Sequence, residues 1–390
     1  MAVFSDSALP VLNGVSISID ALVQELRRQG HSVHLYAPRF PGYKDADPNT
    51  FRFRSIETPM SKGYPVAIPP FYRTLQRFER ESYDIVHTHT PYMLGMVGFR
   101  WAESHELPIV STYHTLYDRY AHYFRLLPRR YIRFRIARHT NFYYNRMDHV
   151  ITPSEASLKW LRRHSVTKPI TVIPTGLSFG TPIDRAEART ALSIPPEQRI
   201  LLYVGRLAKE KNLGVLLEAA ALALSADPSL RLWLVGDGPY RAECIQIARE
   251  LGIGDRVRFV GFVERSKLDL YYAAADLFLF ASITETQGLV IQEAMTHGLP
   301  AVVVAGGGAS AAVEEGVNGF STKNDPEDLA DQVLEVLNND RLYASMSEAA
   351  RRSVRSHGIP QMASKVVEVY HSAIRQHSRL PTPGEFAMRG

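Results

Sequence analysis

The run ASITETQGLVIQEAMTHGLPAVV, residues 281–303, constrains this chain more than any other stretch. The apolar residues Leu277, Phe278, Leu279 and Phe280 before it read as a buried strand. Glu285 follows, then the turn Gln287-Gly288-Leu289, then a helical pattern through Val290 that carries Glu293. Gly298 and Pro300 stop that helix, and the residues from Ala301 to Val304 read as the next strand. Two carboxylates therefore straddle a glycine turn at a helix start. The exposed N–H groups of such a turn suit a diphosphate, and the helix dipole favours its charge. A carboxylate one turn further in can accept both hydroxyls of a ribose, while Glu285 faces whatever hangs from the far end of the diphosphate. The plainer reading is an amphipathic helix with Glu293 solvated. The glycine turn between two strands favours a sugar nucleotide held by one strand–turn–helix unit.

The Glu-x7-Glu pattern, with Gly-Leu-Val inside it and Glu-Ala-Met at its end, resembles retaining glycosyltransferase family 4. The resemblance implies an α/β protein of the GT-B fold: two Rossmann-like domains facing a central cleft, with the C-terminal helix crossing back to the first. It also implies that Glu285 is catalytic and binds donor-sugar hydroxyls, that Glu293 binds the ribose, and that Gln287, Gly288, Leu289 and Val290 line the donor. A second strand, Ile200 to Val204, leads into Gly205-Arg206 and then Lys211. Cations in such a loop stabilise the charge that develops on a departing nucleoside diphosphate more than they stabilise the ground state. Arg206 and Lys211 match the family's diphosphate pair. No Asp-x-Asp stands in a metal-site context, so the donor is expected to bind without metal or other cofactor; that the donor is a UDP-sugar is what the family resemblance implies.

The chain opens with strand, turn, helix and strand, and Gly14 sits at the turn. This is not the full Gly-x-Gly-x-x-Gly fingerprint, so a dinucleotide is not indicated. Asn13 and Gly14 match the family's loop near donor phosphate and acceptor; a helix cap with a turn glycine is the alternative. His87 and His114 fall at the carboxyl ends of buried strands, where open α/β sheets bind ligands. The resemblance gives His114 a donor-sugar contact. His87 and His89 are expected to hold loops. Phe262 and Val263, after Gly261, are the family's base-binding positions, with uracil against guanine left open. Gly306-Gly307-Gly308 is longer in glycine than the family's turn there. The residue Glu314 reads either as the family's carboxylate or as helix surface.

Residues 1–180 hold 23 Lys and Arg against 14 Asp and Glu, so that half carries +9 and residues 181–390 carry −4. A basic half suggests an anionic partner. No nucleic-acid motif is present, which favours an anionic membrane surface over nucleic acid. The stretch from Pro128 to Met147 reads as a helix with Ile132, Ile136, Tyr143 and Met147 on one stripe, at about 100° per residue. Tyr131, Phe134 and Arg138 face the other way, flanked by Arg129, Arg130 and Arg133. Two readings fit that face equally: a solvated basic surface, or a headgroup boundary with arginines on lipid phosphates.

The runs PVLNGVSISI (10–19), STYHTLYDRYAHY (111–123) and VITPSEA (150–156) resemble the family members that glycosylate diacylglycerol. That likeness implies a lipid acceptor and an α-linked hexose, glucose being the favoured one, in the glycolipid product. The rivals are a soluble family 4 transferase using a UDP- or GDP-sugar on a small polar or other lipid acceptor, and a non-catalytic sugar-nucleotide binder. No basic, apolar leader opens the sequence and no apolar run reaches the roughly 18 residues of a membrane span. A cytoplasmic protein held at the inner face of the membrane is expected. The domain reading is 1–176 for the acceptor, 177–198 as linker, 199–360 for the nucleotide sugar, and 361–390 as returning helix and tail.

Overall fold

The computed structural model describes residues 1–11, 13–58, 63–69, 71–76, 78–114, 128–180 and 183–378. The chain forms two compact units, one of Met1–Gly176 with Ile359–Gly390 and one of Leu177–Gly358.

The first unit runs β1 (Ala2–Phe4), α1 (Gly14–Arg28), β2 (His34–Pro38), β3 (Thr50–Phe53), β4 (Ser55–Ile56), β5 (Val66–Ala67), α2 (Tyr72–Leu75), β6 (Val86–Thr88), α3 (Met93–Ser104), β7 (Ile109–Thr112), α4 (Arg129–Tyr144), β8 (His149–Thr152), α5 (Glu155–Arg163) and β9 (Ile170–Val172). Seven of these strands form one parallel sheet in the order β3-β2-β1-β6-β7-β8-β9; β4 and β5 make a small antiparallel pair. Every residue of β1, β2, β6, β7 and β8 is buried. That explains why these strands read as short apolar runs without alternation. One face is covered by α1, whose Ile19, Leu22, Val23 and Leu26 share a core with Met362, Ala363, Val366, Val369 and Tyr370. The other face is aromatic, with Phe4 stacked on Tyr36 at 4.6 Å and Phe53 and Phe78 beside them.

The second unit runs α6 (Arg185–Ala191), β10 (Arg199–Val204), α7 (Leu213–Ala226), β11 (Leu230–Val235), α8 (Arg241–Glu250), β12 (Val257–Gly261), α9 (Arg265–Ala274), β13 (Leu277–Phe280), α10 (Leu289–Thr296), β14 (Ala301–Val304), β15 (Gly319–Thr322), α11 (Pro326–Leu337) and α12 (Asp340–Val354). Its sheet is parallel in the order β12-β11-β10-β13-β14-β15. Asp325 caps α11 by accepting from the Asp328 N–H, with Pro326 in the first turn. Cys244 is a buried core residue of α8.

One expectation needs correction. Residues 177–198 are not a bare linker: α6 lies in the second unit, where Arg185 and Arg189 reach Asp276 at 2.5 and 3.4 Å. The unit ends at Gly358, and the last helix, α13 (Ile359–His377), belongs to the first unit. The stretch 38–82 supplies the edge strand β3, whose Phe51 and Phe53 pack on Tyr36 while Arg52 pairs with Asp45.

Candidate active site

Neighbouring strands β10 and β13 mark the point where the second sheet's order reverses. The crevice at their carboxyl ends is where such a sheet takes its ligand. Both expected cations leave from β10 and both expected carboxylates from β13. After Val204 the chain passes Gly205 and Arg206 and makes one 3-10 turn, Lys209–Lys211. Asn212 ends that turn at φ +58°. Its amide donates to the Ala281 carbonyl at 3.2 Å and to Asn324 Oδ1 at 2.7 Å, stitching this loop to the end of β13. The result is an ion pair between Lys211 Nζ and Glu285 Oε1. Ser282 Oγ donates to the same carboxylate oxygen at 3.0 Å. Arg206 is ion-paired with Glu210, whose carbonyl accepts from Thr284 Oγ1 at 3.3 Å. Beneath them the buried Tyr203 hydroxyl donates to the Arg206 carbonyl at 3.2 Å.

Gly288 precedes α10 at φ +72°, a conformation that costs glycine little. The N–H groups of Leu289 and Val290 lie in the helix's first turn, which has no carbonyl one turn back to receive them. Gln287 departs from expectation. It is 6% exposed and its Nε2 donates to Gln292 Oε1 at 2.8 Å, so its side chain is committed to the interior. Glu293 lies on α10 with Oε1 paired to Arg265 at 2.7 Å and Oε2 accepting from the Tyr272 hydroxyl at 3.1 Å. Burial, and then the Glu293 charge, push the Tyr272 phenol far above its ordinary value, so it stays a donor. Arg265 and Tyr272 were missed in the sequence. The available signal was Arg265 just past Gly261-Phe262-Val263, where Phe262 is exposed and Val263 half-buried.

The glycines 306–308 have a physical reason. A Cβ on Gly308 would lie 1.7 Å from the Thr286 carbonyl oxygen, and one on Gly307 2.7 Å from that of Glu285. The Gly308 N–H donates to the Glu285 carbonyl at 2.6 Å. The loop after β14 thus clamps the backbone that presents Glu285. Gly308→Ala should shift that backbone, lowering the thermal midpoint and cutting turnover of the folded protein by roughly 100-fold. Gly214→Ala, in α7 with no atom within 4 Å of the new methyl, should leave the rate unchanged. A Gly308→Ala enzyme with full turnover would show that the clamp is dispensable.

In the first unit, Asn13 is the N-cap of α1: its Oδ1 accepts from the Val15 and Ser16 N–H groups at 3.0 and 2.9 Å, and its Nδ2 donates to Ser7 Oγ at 3.0 Å. Its side chain is spent on the cap, and Gly14 begins the helix in an exposed position. Asp6, which sequence reading passed over, is half-buried and accepts from Thr90 Oγ1 at 2.6 Å and the Leu94 N–H at 2.9 Å. It serves the N-terminus of α3, and burial raises its pKa. His87, His89 and His114 are gathered at the ends of β6 and β7. His87 binds the Tyr370 hydroxyl at 2.6 Å and Thr112 Oγ1 at 2.7 Å; His89 Nδ1 lies 2.9 Å from His114 Nε2. Burial pushes His87 down to about 3 and His114 to about 4, so both are neutral at pH 7. His114 is therefore no ready proton donor.

On α4, Ile132 and Tyr143 are buried, Ile136 is half-buried, and Arg130, Tyr131, Arg133, Phe134 and Arg138 are exposed, as the stripe predicts; the helix stops at Tyr144, short of the expected Met147, which is buried in the turn that follows. The side chain of Arg129, and residues 115–123 of the second resemblance motif, lie outside the described residues. Among the described residues no helix is long and apolar enough to cross a membrane.

This architecture is shared with the sucrose-phosphate synthase of Thermosynechococcus elongatus, with a TM-score of 0.78 over 96% of this chain and 98% of that one at 24% identity. That likeness, with the two parallel sheets, gives the chain the GT-B fold. Residues 12–179 match the family model for Glycosyltransferase Family 4 and residues 184–353 that for Glycosyl transferases group 1. The chain is 32% identical to the alpha-monoglucosyldiacylglycerol synthase of Streptococcus pneumoniae, over 77% of this chain and 70% of that protein. It is 28% identical to the enzyme of the same name from Acholeplasma laidlawii, over 97% and 98%. The chain belongs to glycosyltransferase family 4 and is an enzyme of that family.

Proposed function

We propose that this enzyme moves a hexose, glucose in the reading we favour, from a UDP-sugar to the free hydroxyl of diacylglycerol with retention of configuration. The observation that carries the transfer chemistry is the Lys211–Glu285 pair at the reversal point of the second sheet, beside the open first turn of α10. An ammonium has three donors, so Lys211 can hold a diphosphate oxygen and Glu285 together. Arg206 and the Leu289 and Val290 N–H groups would share the diphosphate, with Glu293, held by Arg265 and Tyr272, toward the ribose and Phe262 and Val263 toward the base. Side-chain cations would do the work of a metal. Glu285 would bind the sugar's hydroxyls. The acceptor hydroxyl attacks on the face the leaving group departs from: the new C–O bond forms as the C–O bond to the diphosphate breaks, and a diphosphate oxygen takes the hydroxyl proton.

The lipid acceptor is supported by the names of the two relatives above and by the exposed face of α4. Each arginine near an anionic leaflet contributes about 1 kcal/mol, so Arg130→Ser with Arg133→Ser should weaken binding to phosphatidylglycerol vesicles by roughly 30-fold. Vesicle flotation measures this. The function itself is tested by incubating the protein with UDP-glucose, UDP-galactose or GDP-mannose and diacylglycerol vesicles and identifying the product by mass. A hexosyl diacylglycerol from UDP-glucose supports the reading. Transfer only to a water-soluble acceptor, with no vesicle binding, would replace it by the soluble alternative.

A further inference from the structure

One helix grips Glu293 from two sides. Arg265 Nη2 lies 2.7 Å from Oε1 as an ion pair, and the Tyr272 hydroxyl donates to Oε2 at 3.1 Å. Arg265 and Tyr272 are seven residues apart on α9, so they share a face and stand about 10 Å apart along its axis. The carboxylate, carried by α10, is held between the two side chains. Tyr272 is 1% exposed, and burial followed by the Glu293 charge keeps its hydroxyl protonated. The Arg265 side chain is 46% exposed. An ion pair that open adds little to stability. It also places a cation in the first turn of α9, the end that the helix dipole makes unfavourable for it. The fold alone gives no reason for an arginine there.

An ionised carboxylate has about four acceptor positions, two on each oxygen. Tyr272 fills one on Oε2, and Arg265 closes one side of Oε1. One position remains on each oxygen, and 15% of the Glu293 side chain stays open to solvent. With both oxygens anchored, the carboxylate cannot swing round to turn both open positions on a single donor. It therefore suits a ligand that offers two hydroxyls on neighbouring carbons of one face, as the 2′- and 3′-hydroxyls of a ribose do. A lone hydroxyl would satisfy one oxygen and leave the other stripped of water with no donor, which is costly.

We propose that Arg265 and Tyr272 are positioning residues that fix the Glu293 carboxylate to receive two hydroxyls at once, so that the enzyme selects ribonucleotides and rejects both 2′-deoxy and 3′-deoxy donors. This rests on the reading above that Glu293 faces the ribose. Each of the two residues acts through one oxygen of Glu293: Tyr272 sets the carboxylate's orientation from the interior, and Arg265 holds the other oxygen from the solvent side. Their effect falls on donor binding and not on the bond being broken, so it belongs in KM for the donor and not in kcat.

Isothermal titration of the full-length protein with UDP, 2′-deoxy-UDP and 3′-deoxy-UDP gives the test, with thermal midpoints as control. Wild type should bind UDP roughly 100-fold more tightly than either deoxynucleotide. Tyr272→Phe and Arg265→Met should each shrink that preference to roughly 5-fold, by weakening UDP and leaving the deoxynucleotides nearly unaffected. In transfer assays both variants should raise KM for UDP-glucose and keep kcat. Equal weakening of all three ligands, the mark of a merely structural role, overturns the proposal. A wild type that rejects only one of the two deoxynucleotides overturns the two-hydroxyl arrangement even if no variant folds. Glu293→Gln separates this proposal from the reading it rests on. If it keeps the wild-type preference, Glu293 is not at the ribose and both fail. If it loses the preference while Tyr272→Phe and Arg265→Met retain it, the ribose contact stands and the positioning role is overturned.

Discussion

Glu285→Gln is expected to lower transfer by about 1,000-fold while the protein keeps its fold. Glutamine preserves the volume and can still accept from Ser282 Oγ, now 3.0 Å from the carboxylate, so the local hydrogen bonding survives. What disappears is the charge facing Lys211. In the proposed site that charge does two things: it anchors the donor's hydroxyls and it fixes the ammonium that receives the diphosphate. Loss of transition-state stabilisation should fall mainly on kcat, since the first turn of α10 and Arg206 still bind the diphosphate. Steady-state transfer, with a thermal melt as control, measures both. Turnover at the wild-type level would remove Glu285 from the reacting centre.

A second large effect concerns acid. Between about pH 6.5 and 4 the unfolded chain binds protons at His87 and His114 that the folded chain refuses, because burial holds them at about 3 and about 4. Stability therefore falls as pH is lowered through that window and is regained as pH rises. At about 1.4 kcal/mol per pKa unit, the two together should cost several kcal/mol by pH 4. That is a large part of a typical domain's stability. Urea midpoints measured by circular dichroism from pH 7.5 to 4.5 should drop steadily, and His87→Gln should flatten the curve. A flat wild-type profile over that range would mean the histidines are not protected from protonation.

Much of the fold was legible because the buried parallel strands announce themselves as apolar runs and glycine marks the turns after them. Among the strands that escaped, β3 and β15 are edges of the two main sheets whose residues include Arg52, Ser321 and Thr322. Half-buried edges do not read as apolar. The site was legible in its charged residues but not in their pairings. Nothing in the spacing says that Lys211 meets Glu285 or that Glu293 has Arg265 for a partner; those depend on how the segments after β10, β12 and β13 converge. The sequence also could not show that Asn13 would spend its amide on a cap or that Gln287 would turn inward, since a polar residue looks the same whether it faces ligand or its own backbone. The three glycines at 306–308 looked like an anomaly in the sequence. Carbonyls of the loop that carries Glu285 crowd Gly307 and Gly308, while Gly306 lies against the Ile283 side chain.

The chain enters the second unit after Gly176 and leaves it after Gly358. During synthesis the first sheet emerges early, yet the wall that covers α1 comes out only with residues 359–377, some 180 residues later. The second unit is contiguous and can close on itself first. The nascent N-terminal half must wait on the ribosome with a greasy flank bare, which makes it the part of the newborn protein most in need of a chaperone.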